Sequence, residues 1–300
     1  MNDVAICVLL ASYNGEKYIR EQIESIKNQK KIKKVDIFIS DDGSTDKTLS
    51  IIKNLITSSD KKNVFFLKEK NPYKSPTSNF LHLIKNVDLE SYDAICFSDQ
   101  DDIWFDDKLI NSWKKIYSGK YDGYSSSFIS VHRRGYKKYV NKSFSQKKYD
   151  YVFEAPGPGC TFMMRKDFSM KIKDFLLNSS YENEIPSHDW FIYYFARVKG
   201  FSWFIDPNPT IYYRQHSQNF LGTNTGFSAF FKRFKMIFSG EYRKQVQKNI
   251  EILSLNSNLE KYIQKKSILG NLNLFFRSNL FRRKKLDVFI LSCLFIMMFF

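Results

Sequence analysis

The sequence predicts an α/β fold: a mostly parallel sheet covered by helices, followed by a basic, apolar, helical tail. Three observations predict it. The first hundred residues alternate short apolar runs with segments of helical period. Acidic and polar clusters follow directly on three of the apolar runs. Basic charge concentrates in the last quarter, among phenylalanines.

The elements follow in order. Val4–Tyr13 reads as a buried strand rather than a leader, because it is short and has no basic flank. Glu16–Gln29 reads as a helix, with Ile19, Ile23 and Ile26 on one face. Val35–Ser40 is a second strand, and Ser44 or Thr45 is placed to cap a helix carrying Leu49, Ile52 and Ile56. Asn63–Leu67 is a third strand. Asn79 opens a helix with Phe80, Leu83, Ile84 and Val87 inward, and Ala94–Ser98 is a fourth strand. Such alternation of apolar strands with helices specifies a parallel sheet covered on both faces. After Lys120 the pattern is irregular: Ala155–Gly159 is a turn, Cys160–Arg165 a candidate strand, and Ser187-His188-Asp189-Trp190 opens a helix running to about Val198.

Composition narrows the class. With 300 residues, 43% hydrophobic, and only 12 Gly and 7 Pro, the chain is neither disordered nor fibrous. The cysteines, Cys7, Cys96, Cys160 and Cys293, share no close spacing, so a zinc ribbon or disulfide framework is not indicated, and a reducing cytosol is the simplest compartment. The net charge is +16, of which residues 226–300 contribute +10 from 14 Lys/Arg and 4 Asp/Glu. That imbalance points to a polyanionic surface, nucleic acid or anionic lipid. No recognition helix or stacking motif supports nucleic acid, and the cations lie beside apolar residues. Phe227–Phe238 reads as a basic amphipathic helix, equally at home at a bilayer interface or packed on the rest of the chain. Val288–Phe300, preceded by Arg282-Arg283-Lys284-Lys285, is short for a membrane span and fits a cytoplasmic leaflet or a last core helix.

Ligands of parallel α/β sheets bind beyond the carboxyl ends of the strands. Asp99-Gln100-Asp101-Asp102 sets three carboxylates at such an end, where a hard divalent cation (Mg²⁺ or Mn²⁺) would relieve their repulsion and in turn imply a diphosphate ligand; an acidic loop capping the next helix is the plainer use. Asp41, in Asp41-Asp42-Gly43-Ser44, can accept the imide N–H of uracil or thymine, and this use is compatible with a Gly turn capped by Ser44. Asp189 near a helix start is a candidate base or a plain cap. Arg214-Gln215-His216 offers a cation for a diphosphate and an imidazole for a metal, or a surface loop.

Taken in order, Ser12-Tyr13-Asn14-Gly15, Asp41–Asp46, Asn79-Phe80, Ser98–Trp104, His188-Asp189-Trp190 and Tyr213-Arg214-Gln215-His216 resemble the family 2 glycosyltransferases of GT-A fold, in their rhamnosyltransferase-like branch. The likeness runs from about Val4 to Gly222. It implies inverting transfer from a nucleoside-diphosphate sugar, dTDP-rhamnose or a UDP-hexose, to a glycan or polyprenyl-diphosphate-linked acceptor in cell-surface polysaccharide biosynthesis. By the same resemblance Asp41 meets the base and Tyr13 and Asn14 line its pocket. Ser12, Asp42, Asn79 and Gln100 join the donor side. Asp99, Asp101 and Asp102 serve metal and ribose, Asp189 is the general base, His216 lies near the metal and Arg214 near the diphosphate. The expected division is a catalytic domain over 1–225, with a nucleotide-sugar half (1–105) and an acceptor half (106–225), then a membrane-associating segment over 226–300. The expected location is the inner face of the cell membrane, without nucleic acid. Two departures stand out. His188 replaces a common Glu, and Asn71-Pro72-Tyr73-Lys74 stands where Asn-x-Gly is usual. A basic nucleic-acid binder and a non-catalytic glycosyltransferase-like module are the alternatives.

Overall fold

The first strand shows why the sheet forms. β1 (Ala5–Ser12) is apolar on both sides of its pleat, and both sides are buried. Ile6, Val8 and Leu10 join one core cluster with Ile19, Ile23 and Ile26 of α1 (Ile19–Lys27), Ile52 and Leu55 of α2 (Thr48–Thr57), and Leu109, Ile110 and Trp113 of α4 (Lys108–Gly119). On the other face Phe97 of β4 (Ala94–Asp99) meets Phe80 of α3 (Pro76–Asn86) with ring centroids 5.1 Å apart. Period-2 alternation therefore sorts a continuous apolar run into two cores, one per face.

This computed structural model describes residues 4–57, 64–67, 75–132, 135–216, 239–255, 257–265 and 267–298. The Phe227–Phe238 helix and the Asn71–Lys74 loop expected from sequence lie outside the described residues. The chain forms two units, threaded through one another in sequence. The first comprises 1–143, 157–183 and 200–215, and the second 144–156, 184–199 and 216–300.

In the first unit β2 (Lys34–Asp41) and β3 (Val64–Leu67) extend the sheet on one side of β1. On the other side lie β4, then β9 (Met163–Arg165), β6 (Gly123–Ser126) and β10 (Trp203–Asp206). The pairs β1–β2, β1–β4, β2–β3 and β6–β10 are parallel, whereas β9 runs antiparallel to β4 and β6. A second sheet has the order β5 (Ile103–Trp104), β11 (Ile211–Arg214), β7 (Phe128–Val131), β8 (Lys137–Val140).

Several expected boundaries change. The first helix starts at Ile19, not Glu16, because Gly15 O accepts from Tyr18 N and Ile19 N in a turn. Helix α2 is capped by Asp46, whose Oδ1 accepts from Thr48 N at 2.9 Å, rather than by Ser44 or Thr45. Helix α3 begins at Pro76 after the Ser75 cap, so Asn79 sits inside its first turn and does not open it. The Cys160–Arg165 stretch divides into a 3₁₀ turn over Gly159–Thr161 and then β9.

The second unit is helical and is organised around Asp150, a fully buried acid on α5 (Asp150–Phe153). Arg197 of α7 (His188–Val198) pairs with it at 2.9 Å, Tyr193 donates to it at 3.1 Å, and Arg283 lies 3.8 Å away. Burial pushes the Asp150 carboxyl up, and the two guanidinium groups oppose that. Arg283 N also donates to Glu154 at 2.6 Å, and Arg282 Nη1 to Phe153 O at 2.6 Å. Two members of the Arg282–Lys285 basic cluster are therefore internal anchors, while Lys284 and Lys285 remain exposed. Helices α8 (Glu241–Ile252), α9 (Asn258–Gln264), α10 (Ile268–Phe276) and α11 (Lys285–Ile296) complete the unit. Among the described residues no helix is long and apolar enough to cross a membrane.

Candidate functional site

The chain passes β1, β2, β3 outward and then returns to place β4 on the opposite side of β1. In α/β sheets such a reversal marks where ligands bind, beyond the carboxyl ends of the strands, here those of β1 and β4. Register brings the motifs to it, because Ser12 pairs with Asp41 and Ala11 with Asp99. Three sequence-distant polar ends thus finish at one level.

Asp41 is buried and already well supplied with donors. Its Oδ1 accepts from Ser12 Oγ at 2.7 Å and Ser44 Oγ at 2.6 Å, and its Oδ2 accepts from Ser44 N at 2.7 Å. With about four acceptor sites on a carboxylate, one on Oδ2 is left for an outside donor. The loops after β1 and β2 are stitched together: Asn14 N donates to Ser44 Oγ at 2.8 Å, Thr45 N to Asn14 Oδ1 at 2.9 Å, and Gly15 N to Thr48 Oγ1 at 2.8 Å. Asn14 adopts a left-handed backbone (φ 48°), which Asn tolerates better than most residues.

Gln100 clamps Tyr13 from the other side. Its Oε1 accepts from Tyr13 N at 2.8 Å and its Nε2 donates to Tyr13 O at 2.7 Å. A side chain at Gly15 would put Cβ 2.1 Å from Gln100 Oε1, so the clamp needs glycine there. The Tyr13 side chain is left 56% exposed, a platform on which a planar ring could stack. Asp42 and Asn79 are buried behind this surface. Asp42 Oδ2 accepts from Ser75 N at 3.0 Å, holding the start of α3, and Asn79 Nδ2 donates to Ser40 O at 3.1 Å. Both act here on the strand ends and loops.

The acidic loop is built differently. Donor atoms of Asp99, Asp102 and Cys160 lie within 4.8 Å of one another. Asp102 is fully buried, and among the described residues its Oδ2 has no hydrogen-bond partner. Burial, then Asp101 and Asp99, push its carboxyl well above the usual range. Burial pushes the Cys160 thiol up as well, and its S–H sits against Asp102. The Asp99 and Asp102 carboxylate oxygens are hard donors of the kind that suit Mg²⁺ or Mn²⁺. The mutual repulsion and the orphaned oxygen fit such an ion. Asp101 is half-buried in the same loop but outside that close trio.

Arg214 reaches this loop through the second sheet. β11 pairs antiparallel with β5, and Arg214 N donates to Asp102 Oδ1 at 3.3 Å across 112 residues. Its guanidinium is paired with Glu21 and lies over the Tyr18 ring, 5.1 Å from the centroid. Two residues missed by sequence also sit here. In the sequence Cys160 is only a cysteine without close-spaced partners at the start of a candidate strand. Lys108 is fully buried, with Nζ 4.3 Å from the Trp104 ring centroid and, among the described residues, no hydrogen bond; burial lowers its pKa, and Cys96, Cys160 and Asp102 oppose that. No spacing in the sequence marks either one, because each acts through strands far away in the chain.

Asp189 and His216 belong to the second unit. Asp189 stands in the first turn of α7, where its Oδ1 accepts from Trp190 N at 2.7 Å and from Ser187 Oγ. Among the described residues, both of its side-chain hydrogen bonds fall on Oδ1. Burial lowers the pKa of neighbouring His188, partly offset by Asp189. His216 follows β11 and is half-buried.

Comparison with known proteins bears on this arrangement. The model of Glycosyl transferase family 2 matches residues 7–174. The chain is similar to the dTDP-rhamnosyl transferase RfbG of Shigella flexneri, with 42% identity over 97% of this chain and 100% of that one. It is also similar to an uncharacterized glycosyltransferase of Haemophilus influenzae, with 34% identity over 36% of this chain and 41% of that one. Among solved structures, the mannosyltransferase PcManGT from Pyrobaculum calidifontis, in complex with GDP-Man and Mn²⁺, superposes with TM-score 0.57 at 10% identity, covering 99% of this chain and 86% of that one. TarS of S. aureus in complex with UDP-GlcNAc gives 0.55 at 16% identity, covering 97% and 89%. These likenesses establish a GT-A fold. With a sheet that reverses at β1 and β4, an acidic loop at that reversal, and a family match over more than half its length, the chain belongs to the family 2 glycosyltransferases.

Proposed function

We propose that this glycosyltransferase moves rhamnose from dTDP-rhamnose, with inversion, to a hydroxyl of a glycan carried on a lipid diphosphate, at the cytoplasmic face of the membrane. The similarity to RfbG over 97% of the chain carries the choice of sugar and nucleotide. Asp41 supports it. The open site on Oδ2 suits the imide N–H of thymine or uracil and disfavours cytosine, whose N3 is an acceptor. A UDP-hexose donor is the second reading, favoured by TarS in complex with UDP-GlcNAc.

In this reading Tyr13 stacks on the base, and the cross-stitched loops hold it in place. Asp99, Asp101 and Asp102 would hold a Mg²⁺ or Mn²⁺ ion, with His216 as a further candidate ligand, and Arg214 would brace the diphosphate. The ion, when bound, neutralises charge on the departing diphosphate. Asp189 Oδ2 takes the proton of the acceptor hydroxyl as that oxygen bonds to C1. The C1–O bond to the diphosphate breaks from the opposite face, and dTDP leaves. Ser12, Asp42, Asn79 and Gln100 position the donor loops rather than react.

The test is thermal unfolding with dTDP, UDP and GDP, each with and without Mn²⁺, followed by transfer assays. A ligand at a hundred times its dissociation constant stabilises a fold by ~2.7 kcal/mol. A Mn²⁺-dependent shift with dTDP is expected, weakened in Asp101→Asn and retained in Asp189→Asn. Asp189→Asn should lower kcat by roughly 10²–10⁴-fold, the usual contribution of a general base. Equal loss of dTDP binding in both variants would overturn the assignment of roles, and a shift with GDP alone would overturn the donor.

A further inference from the structure

Helices α10 and α11 are built apolar side out. In α10 the exposed residues Ile268, Leu269, Leu272 and Phe276 fall within one arc of the helix, and Phe276 is 78% and Leu269 79% exposed. Gly270, Asn271 and Leu274 occupy the buried arc opposite. In α11 Leu286, Phe289, Ile290 and Ile296 share the exposed arc, while Leu291, Leu294 and Phe295 face inward. At 100° per residue these stripes are too regular for scattered surface leucines.

The two helices pack on each other. Their connection is rigid, since Ser292 Oγ donates to Ser278 Oγ at 2.7 Å and Phe281 is buried against Phe295. Arg282 and Arg283 fix it from below through Glu154, Phe153 and Asp150. Exposed charge around the stripes is of one sign. Lys261, Lys265, Arg277, Lys284 and Lys285 are exposed, whereas Glu260 and Asp287, the acids of this stretch, are partly buried and bonded, to Ser254 and Arg282 respectively.

We propose that the α10–α11 hairpin is a monotopic anchor whose Leu269–Phe276 and Leu286–Ile296 stripes sink into the headgroup boundary of an anionic bilayer, with Lys265, Arg277, Lys284 and Lys285 on the lipid phosphates. Helices of 9 and 12 residues lie in an interface and do not span it. Charge decides against a second copy as the occupant, because a two-fold contact would bring like-charged rims together. The proposal deepens the reading of a membrane-presented acceptor by naming the docking surface. It moves that surface to α10, which no charge or hydropathy pattern had singled out, and removes Arg282 and Arg283 from it.

The experiment is flotation of the full chain with phosphatidylcholine vesicles and with vesicles containing phosphatidylglycerol. Binding to the anionic vesicles is expected, together with at least a roughly tenfold loss in Leu269→Glu/Phe289→Glu, as for an amphipathic helix that loses its apolar contact. Arg277→Ser/Lys284→Ser/Lys285→Ser should erase the preference for the anionic lipid. Both variants should keep the wild-type melting temperature and the nucleotide-induced shift, which reports the donor site independently. Unchanged vesicle binding in the Glu variant would overturn the proposal. So would a wild-type chain that floats with neither vesicle, or a wild-type dimer that the Glu variant makes monomeric without lipid binding at any stage.

Discussion

The two units of this chain solve opposite problems with buried acids. In the first, Asp102 lies close to Asp99, with Asp101 in the same loop, and among the described residues its Oδ2 has no hydrogen-bond partner. In the second, Asp150 is as deeply buried but is met by Arg197, Tyr193 and Arg283. The first arrangement keeps a buried carboxylate oxygen available beside other acids, so it is suited to binding a cation. The second is satisfied from within, so it is suited to holding α5, α7 and the C-terminal helices together. Depth of burial alone does not separate a site from a scaffold; the count of partners does.

The sharpest way to break this contrast is to remove Asp150. Asp150→Ala leaves two guanidinium groups without their shared acid, and loss of one partner of a buried pair typically costs ~3–5 kcal/mol. Urea denaturation of the variant is expected to show that loss. A variant as stable as wild type would mean the cluster is not the fulcrum of its unit.

A smaller effect is expected in the donor loops. Gly15→Ala must displace Gln100, whose two bonds hold the Tyr13 backbone. At about 0.5–1.5 kcal/mol per bond, a loss of roughly 1–3 kcal/mol follows, with weaker nucleotide binding. The Gln100→Ala variant should lose a similar amount, and the double variant little more. Additive losses would show that glycine and clamp are independent.

The smallest effect concerns pH. Burial lowers the folded-state pKa of His188 below its unfolded value of 6.5. The unfolded chain then binds the extra proton first, so this contribution is present above pH 6.5 and declines as pH falls toward the folded pKa. The slope is at most about 1.4 kcal/mol per pH unit for one group. Melting temperatures between pH 7.5 and 5 should fall less steeply in His188→Asn. Parallel profiles would remove His188 as the cause.

Much of the donor side was legible because it is local. An apolar run followed by Ser12-Tyr13-Asn14-Gly15, or by Asp41-Asp42-Gly43-Ser44, reports a strand and its terminal loop within a dozen residues, and the helix from His188 to Val198 was equally plain. Helix starts were harder. Several short polar residues compete for each cap, and Asp46 and Ser75 prevailed over Ser44 and Asn79 by geometry. The antiparallel strand β9 was hidden in a stretch whose first half is a 3₁₀ turn.

What the sequence by itself determined is therefore the set of strand-end motifs, the α/β class they imply and the family that shares them, since each depends on residue periods of two or 3.6 and on neighbouring side chains. Only the tertiary structure decided which residues those motifs meet. Register placed Ser12, Asp41 and Asp99 at one level, β11 carried Arg214 across 112 residues to Asp102, and a buried turn brought Cys160 to the same carboxylate. It also turned Arg282 and Arg283 inward and left the apolar arcs of α10 and α11 outward. The physical reason is range. A helix or strand is specified by contacts within a few residues, whereas partners and exposed faces are set by packing between segments whose order in the chain carries no distance information.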